Sequence, residues 1–358
     1  MRKVIGIGIL LLSAAVLLTA MNQAFINRVK QDRYFDHLNP GDNQNSLYHR
    51  VFIRSDRWRN GDLYGLSYLP QYKFALEPFK QYNRAGNEPI TNRVLYIIGD
   101  SFLADKTLSG AFEGFDKVIF IDRRSPVEQM ALDATKQNYM LLEFAERNLN
   151  GLMLTEADKQ AWQKNSAAKA NTFKPVSLPD RLNNIIFNKD LSRNAELLLF
   201  DDKIFTPFKE AKAWLNYALF GRVAKEVAVS TDKKRLLLNV SVDTASVQSA
   251  FIPISDKEVG EISRQLSLCQ AYYTSIGFKK VFLGVVPNAV SVYDDKRMPY
   301  NHLLQRVEKQ STLPVISVYQ DYKTAGQNLF YLSDAHWNPF GLDLWVKKTN
   351  EVLQQNLK

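Results

Sequence analysis

The feature that most constrains the fold is a short apolar run, Val94–Ile98, that leads directly into Gly99, Asp100 and Ser101. Consecutive residues rich in β-formers predict a strand buried on both faces, and such strands belong to parallel sheets that helices cover. Glycine at the strand end permits a sharp turn because it has no Cβ. A serine just beyond that end lies where open α/β sheets bind their ligands.

Other apolar runs alternate with helical patterns along the chain. Further strands are predicted at Lys117–Asp122, Tyr139–Phe144, Arg235–Val242, Lys280–Val286 and Leu313–Tyr319. Helices are predicted from Ser125, over Thr155–Ala170, Phe208–Val227 and Asp256–Ile276, and from Asn338 to about Leu357. This alternation is typical of an α/β fold, and it predicts a three-layer sandwich with a mostly parallel sheet.

A serine hydroxyl needs a histidine base, which a carboxylate in turn orients. The chain has four histidines, at His37, His49, His302 and His336. Only His336 has an aspartate two residues before it and a helix start directly after it. We therefore predict Ser101 as nucleophile, His336 as base and Asp334 as the orienting carboxylate.

Two other interpretations of these residues stay open. Ser101 can cap a helix while His336 is a hydrogen-bonded polar residue beside Asn338. Asp334 and His336 can also bind a metal, but a typical site needs at least a third ligand, and no third histidine is near in sequence. We therefore expect no metal and no cofactor.

Two motifs resemble a known family. Residues Gly99-Asp100-Ser101-Phe102 match the first block of the SGNH (GDSL-like) hydrolase superfamily. Asp334-Ala335-His336-Trp337-Asn338-Pro339, with Gly341, resembles the Asp-x-His-Trp segment of the SGNH-like domains in alginate O-acetylation proteins and the DHHW family. Less specific similarity lies at Tyr139–Asn148, at Val281–Asn288 with Tyr293, and at Leu329–Tyr331, so that the resemblance covers roughly residues 92–150 and 260–357.

The resemblance implies an SGNH/flavodoxin-like fold and acyl transfer through the Ser-His-Asp triad. It also implies substrate or oxyanion contacts from a second set of residues: Asp100, Phe102, Glu146, Arg147, Asn288, Tyr293 and Trp337. Glu146 and Arg147 either line the pocket or form a salt bridge, and Trp337 either stacks on a sugar ring or packs in the core. No Gly-x-Asn-Asp block follows the third strand, so the sequence does not identify the usual second oxyanion donor.

The N-terminus carries a membrane signal. Two basic residues after Met1 precede Val4–Met21, which has no charge. At about 1.5 Å per residue this segment spans roughly 27 Å, enough for a thin bilayer core. It is either a cleaved signal peptide or an uncleaved anchor, and the absence of a good Ala-x-Ala site favours the anchor. The basic N-terminus predicts a cytoplasmic N-terminus and a periplasmic or extracytoplasmic catalytic domain.

Composition and patterning set the domain limits. With 358 residues and 46% hydrophobic content the chain can bury a sizeable core. We expect an anchor or signal over 1–25, a stalk and packing segment over 26–90, and an SGNH-like domain over 91–358 with a helical insertion at about 151–234. The net charge of +9 is spread thinly and no nucleic-acid motif accompanies it. A single cysteine, Cys269, excludes an intrachain disulfide.

Three functions remain open for such a chain. The first is an exported, membrane-tethered O-acyltransferase, most simply an acetyltransferase, that modifies hydroxyls of a cell-envelope or secreted polysaccharide. The second is an acyl esterase acting on similar glycans. The third is a catalytically silent scaffold beside a multi-pass membrane O-acyltransferase. The expected partners are therefore a polysaccharide acceptor, the membrane and such an acyltransferase.

Overall fold

The computed structural model describes residues 2–26, 60–84, 90–104, 106–124, 130, 132–155, 159, 162, 191–192, 194–195 and 205–357. The chain divides into two compact units. The N-terminal unit comprises residues 1–75 and 169–223. The sheet unit comprises residues 76–168 and 224–358.

The sheet unit is built on five parallel strands. They are β1 (Arg93–Gly99), β2 (Lys117–Asp122), β3 (Gln137–Ala145), β6 (Phe278–Val286) and β7 (Val315–Ile316). Their order across the sheet is β2-β1-β3-β6-β7, and every neighbouring pair is parallel. The predicted α/β class and the mostly parallel sheet are thus confirmed. A separate antiparallel pair consists of β4 (Val227–Val229) and β5 (Leu236–Leu238).

The described helices fall in both units. The N-terminal unit contains α1 (Arg2–Met21), α2 (Asp62–Ser67), a 3₁₀ turn at Pro70–Tyr72 and α3 (Thr206–Phe220). The sheet unit contains α4 (Asp256–Ser275), α5 (Ala289–Tyr293), α6 (Leu303–Gln310), α7 (Tyr319–Thr324) and α8 (Pro339–Asn356), with 3₁₀ turns at Glu146–Gly151 and Asn239–Ser241.

Helices cover both faces of the sheet because successive strand residues point to opposite sides. On β1, Leu95 and Ile97 belong to the core cluster that contains Trp345 and Leu353 of α8. Their neighbour Tyr96 belongs instead to the cluster that contains apolar residues of α4 and α6. Strands buried on both faces carry continuous apolar sequence, which explains why the runs in this chain do not alternate with polar residues.

The two long helices of the sheet unit begin where their caps predict. Ser255 and Glu258 form a capping box at the start of α4, each side chain accepting from the other residue's backbone N–H. Asn338 caps α8 by accepting a hydrogen bond from the Gly341 N–H at 3.0 Å, and Pro339 occupies the first helical position. These contacts fix the start of the helix that follows His336.

One predicted helix and the last predicted strand end earlier in the structure than expected. The helix expected over Phe208–Val227 ends at Phe220, because Gly221 adopts a left-handed conformation with φ 61° and caps it. Val227 then begins β4. The last strand, expected over Leu313–Tyr319, pairs with β6 only at Val315 and Ile316, and Tyr319 begins α7.

The remaining predicted elements lie in the middle of the chain and at its N-terminus. The strand expected over Arg235–Val242 is β5, shortened to Leu236–Leu238 by the 3₁₀ turn that follows it. The helix start at Ser125 lies outside the described residues, and the helix over Thr155–Ala170 lies mostly outside them. One helix of the described chain, Lys3–Met21 in α1, is long and apolar enough to cross a membrane, as either an anchor or a signal sequence.

Candidate active site

The end of β1 brings Ser101 to the carboxyl edge of the sheet. Gly99 is required there because a Cβ would lie 2.6 Å from Glu143 Oε2 and 2.9 Å from the Phe120 ring. After Asp100 the chain makes a single turn, in which the N–H groups of Leu103 and Ala104 donate to the Asp100 carbonyl. The described residues therefore place Ser101 at the start of one turn rather than of a long helix.

Asp100 holds this turn through hydrogen bonds of its backbone and side chain. Its N–H donates to Glu143 Oε2 at 2.9 Å. Its carboxylate accepts from the Phe102 N–H at 3.1 Å, the Ala145 N–H at 3.3 Å and Asn148 Nδ2 at 3.1 Å. The side chain is buried. These hydrogen bonds link the ends of β1 and β3, and a substrate or oxyanion contact of Asp100 stays a prediction.

The three predicted catalytic residues meet in space. His336 Nε2 lies 2.8 Å from Ser101 Oγ. His336 Nδ1 lies 2.6 Å from Asp334 Oδ1. Because an ionised carboxylate only accepts, Nδ1 carries the proton that it donates to Asp334, and Nε2 is left to accept from the serine hydroxyl. This continuous chain of hydrogen bonds has the arrangement of a serine triad.

The loop that carries His336 is fixed from both sides. Asp334 Oδ1 also accepts the His336 backbone N–H at 2.9 Å, which closes a local turn. Phe330 and Trp337 form a β-bridge, and the Tyr331 N–H donates to the His336 carbonyl. The imidazole therefore has a defined orientation before any substrate binds. The expectation that this site holds no metal and no cofactor stays a prediction.

Phe102 and Trp337 pack beneath the histidine. Both side chains are fully buried, and the Phe102 ring centroid lies 5.0 Å from that of His336 and 5.1 Å from that of Trp337. Trp337 also packs on Trp345 of α8. This burial agrees with the core-packing alternative for Trp337, and a substrate or oxyanion contact by Phe102 or Trp337 stays a prediction.

Glu146 joins the ends of β3 and β6. Its Oε2 accepts from the Asn288 N–H at 2.8 Å and its Oε1 from the Tyr300 hydroxyl at 2.7 Å. Burial raises the pKa of Glu146, while these donors act in the opposite direction. Both Glu146 and Asn288 are buried, and their contact holds the edge of the sheet together, while their substrate or oxyanion roles stay predictions.

Arg147 and Tyr293 lie in different surroundings. The Arg147 guanidinium is 5.5 Å from the centroid of the Phe102 ring and lines a cavity, and its substrate or oxyanion contact stays a prediction. The Tyr293 hydroxyl accepts from the Leu329 N–H, and the Arg235 guanidinium lies 3.6 Å from its ring centroid. Tyr293 therefore supports the loop before the histidine motif.

The cavity beside Arg147 lies at the carboxyl ends of the first three strands. Its volume is about 590 Å³, and the strand residues Ile98 and Phe144 line it. Cys269 and Tyr273 of α4 also line it, together with the polar residue Asn148. None of the three triad residues lines this cavity, which lies next to the turn of Ser101 through the hydrogen bond from Asn148 to Asp100.

Two residues of this site were not found from the sequence. Asn148 donates to the carboxylate of Asp100, the residue before the nucleophile, and it also lines the cavity. Glu143 is 0% exposed, and burial, followed by the nearby Asp100 carboxylate, raises its pKa to about 8. In the sequence, Glu143 is recognisable as a glutamate inside an otherwise apolar strand. Such a position calls for a special role, because glutamates are almost never fully buried unless they are paired.

No protein-family model, no curated protein and no solved structure matches this chain. The assignment of function therefore depends on the geometry of the site and on the motifs that form it.

Proposed function

We propose that this chain is an exported, membrane-tethered SGNH-like acyltransferase that moves an acetyl group onto hydroxyls of a cell-envelope or secreted polysaccharide. The observation that carries the proposal is the continuous hydrogen-bonded chain from Ser101 through His336 to Asp334. All three residues belong to the two motifs that resemble the superfamily.

In the first half-reaction the Ser101 oxygen attacks the acyl carbonyl while His336 Nε2 takes its proton. The Oγ–C bond forms, and the carbonyl oxygen becomes an oxyanion. When the intermediate collapses, the bond to the leaving oxygen breaks and the imidazolium returns the proton to that oxygen. Asp334 stabilises the positive charge that the ring carries between these two transfers.

In the second half-reaction a sugar hydroxyl attacks the acyl-serine. His336 removes the hydroxyl proton, the new ester bond forms, and the proton returns to Ser101 as it leaves. Water in place of the sugar hydroxyl gives an esterase with the same residues. Transfer is favoured by the resemblance to the alginate-acetylation subgroup and by the apolar helix α1, which suits an enzyme working beside a membrane acyl donor.

The order of the sheet supports this placement of the chemistry. Counting only its own strands, the order is 2-1-3-4-5, as in flavodoxin-like doubly wound sheets. Ligands of such sheets bind where neighbouring strands connect in opposite directions, which here is between β1 and β3. Ser101 follows β1 and Asn148 follows β3. The Ser101 N–H is the natural oxyanion donor, and one such donor contributes about 3–4 kcal/mol.

The test is the acetyl content of the surface polysaccharide in a deletion strain. A transferase predicts that deletion lowers the acetyl content, that the wild-type gene restores it, and that Ser101→Ala does not. Ser109→Ala is the matched control, because Ser109 lies in the same segment and its hydroxyl donates to the Tyr82 carbonyl, away from the triad.

Each alternative gives another pattern. An esterase predicts that deletion raises the acetyl content. A scaffold predicts that Ser101→Ala restores the wild-type content, which would contradict the proposal. Hydrolysis of p-nitrophenyl acetate by the purified protein, lost in Ser101→Ala, separates an enzyme from a scaffold.

A further inference from the structure

Helix α3 of the N-terminal unit presents apolar side chains to the outside. Phe208 is 70% exposed, Leu219 68%, Trp214 51% and Leu215 48%. With about 3.6 residues per turn, Phe208, Leu215 and Leu219 lie along one face of the helix, and Trp214 lies about 100° to one side of Leu215. No residue in the described part of the chain covers this face, although a surface helix ordinarily turns its apolar side inward.

Charged groups hold the opposite face against the protein. Glu210 accepts hydrogen bonds from the Tyr64 hydroxyl and from Lys73 Nζ, the latter at 2.9 Å. Lys209 Nζ donates to the Tyr68 hydroxyl at 3.1 Å. The rotation of α3 about its axis is therefore set by polar contacts to α2 and the turn that follows it. These polar contacts therefore hold the apolar face of α3 toward the outside of the N-terminal unit.

The same unit holds the end of the apolar helix α1. The side chains of Leu10 and Leu12 are 69% and 67% exposed, so the N-terminal part of α1 projects from the protein. Ala20 and Ile26 are fully buried, and Asn194 Nδ2 donates to the Ala20 carbonyl at 3.0 Å. When α1 spans a bilayer, the N-terminal unit lies where that helix leaves the lipid.

We propose that α3 lies on the outer surface of the membrane with Phe208, Leu215 and Leu219 in the lipid interface. The inference rests on the membrane-anchor part of the proposed function. Tryptophan and phenylalanine are the side chains that interfacial helices place at the headgroup level, as Trp214 and Phe208 would be. The occupant of this face is a lipid surface and not a second copy, because α1 brings the same unit to the bilayer.

Charge supports a lipid surface as well. The only carboxylate within α3 is Glu210, which points inward to Tyr64 and Lys73. Lys212 and Arg222 are exposed. Long basic side chains lie along an apolar surface and place their charge at the headgroups. Anionic headgroups attract such basic residues near a membrane.

The experiment measures the depth of Trp214 in vesicles that contain the full chain. The vesicles are phosphatidylcholine with a minority of phosphatidylglycerol, brominated either near the headgroup end of the acyl chain or near its terminal methyl. The Trp214 emission is the difference between wild type and Trp214→Phe. We expect bromine near the headgroup to remove most of this emission and bromine near the terminal methyl to remove little of it.

Charge-inserting variants test the face itself. Phe208→Glu and Leu215→Glu should restore the Trp214 emission at least partly, because the helix leaves the lipid. Leu268→Glu is the matched control: Leu268 is 43% exposed on α4 of the sheet unit and should leave the quenching unchanged. Circular dichroism melting checks that each variant folds.

Alkaline extraction of the same vesicles separates this inference from the anchor. A chain that stays in the vesicles while Trp214 is equally bright with and without bromine overturns the interfacial helix and leaves the anchor intact. Cross-linking of α3 to a second copy, with unquenched Trp214, overturns it in favour of a dimer. A chain that alkali removes overturns both, while the acetyl-content experiment still decides the chemistry.

Discussion

Asp334 uses one oxygen for two bonds to the same residue, one to the His336 backbone N–H and one to the ring Nδ1. The short Asp-x-His spacing is what permits this arrangement, because an aspartate side chain readily accepts from the N–H two residues on. The backbone contact fixes the loop, and the ring contact fixes the tautomer. A single carboxylate oxygen thus combines a structural and an electrostatic role.

Asp334→Asn separates these two roles. The amide oxygen still accepts from the His336 N–H, so the turn should persist, but the negative charge that stabilises the imidazolium is lost. We expect kcat for acyl turnover to fall by roughly 10²–10⁴, because the corresponding change in serine triads costs up to about 10⁴. The loss should appear in kcat since the charge on the ring develops only toward the transition state.

The control for this variant is Asp243→Asn. Asp243 accepts the Ala245 N–H in the same kind of turn but lies outside the site. It should change neither turnover nor melting. Unchanged turnover in Asp334→Asn, with an unchanged melting temperature, would remove Asp334 from the mechanism.

Glu143 makes stability depend on pH. Its folded pKa of about 8 lies above the ordinary glutamate value of 4.5, so the folded chain binds one more proton than the unfolded chain between these values. The free energy of unfolding therefore falls as pH rises through this window, by up to about 1.4 kcal/mol per pH unit. Below pH 4.5 both states are protonated and this loss vanishes.

Glu143→Gln removes this titration while keeping an oxygen for the Asp100 N–H. The free energy of unfolding of the variant, minus that of wild type, should increase from pH 5 to pH 8. Urea denaturation at each pH measures both values. Glu261→Gln is the control, because hydrogen bonds from Arg264 and Gln265 lower the pKa of Glu261 to about 2. The difference in free energy of unfolding between Glu261→Gln and wild type should stay constant over the same pH range. A flat difference for Glu143→Gln would show that Glu143 is ionised in the folded chain.

At the scale of elements, helix α8 positions the histidine by packing closely on the loop before it. A Cβ at Gly341 would lie 2.2 Å from the Leu329 carbonyl oxygen and 2.8 Å from Trp337 Cβ. Only glycine lets the first turn of α8 approach the segment that leads to His336. This contact gives a structural reason for the glycine that completes the histidine motif.

Gly341→Ala and Gly260→Ala should therefore have opposite effects. Gly341→Ala must displace the backbone around Leu329, so we expect a lower melting temperature and lower turnover. Gly260 lies in α4, and no neighbouring group lies within 4 Å of the point where an alanine Cβ would be. Alanine there should therefore stabilise the helix by about 1 kcal/mol. Thermal melting and acyl turnover of the two variants check this. Equal melting temperatures would contradict the close-packing argument.

The sequence predicted the elements that local pattern determines. Strands β1, β2, β3 and β6 lie within two residues of their predicted limits, because each is a continuous apolar run. The limits of the last strand depend instead on which of its residues pair with β6. In the structure these are Val315 and Ile316. The end of α3 was predictable in principle from Gly221, which favours the left-handed cap.

The candidate triad was predictable because few residues compete for its roles. Only four histidines exist in the chain, and only His336 has an aspartate two residues before it and a helix start directly after it. The roles of the residues around the triad were harder to predict, because these roles depend on which side chains are buried. The sequence does not decide between sugar stacking and core packing for Trp337, which is fully buried, and it does not show that Asn148 hydrogen-bonds to Asp100.

For the whole molecule, the chain passes between its two units after residues 75, 168 and 223. The triad belongs to the sheet unit and α1 to the N-terminal unit. The sequence did not predict that segment 169–223 groups with the first 75 residues, because that grouping depends on tertiary contacts. The limits predicted for the domains themselves stay predictions.

Helix α1 is expected to remain in the mature protein as an uncleaved anchor. Ala20 and Ile26 are buried in the N-terminal unit and Asn194 donates to the Ala20 carbonyl, so signal cleavage near this point would remove residues that the fold uses. We expect the intact mass of the membrane-extracted protein to include residues 1–26. A mass that lacks them would identify α1 as a cleaved signal peptide.

The orientation of α1 decides which side of the membrane holds Ser101. Basic residues flank both ends of the apolar segment Val4–Met21, with Arg2 and Lys3 before it and Arg28, Lys30 and Arg33 after it, and the short basic N-terminus makes a cytoplasmic N-terminus the default expectation. With the N-terminus in the cytoplasm, alkaline phosphatase fused after Lys358 should be active, and a reporter that folds only in the cytoplasm should not. The opposite reporter pattern would place Ser101 in the cytoplasm and exclude an exported polysaccharide as its acceptor.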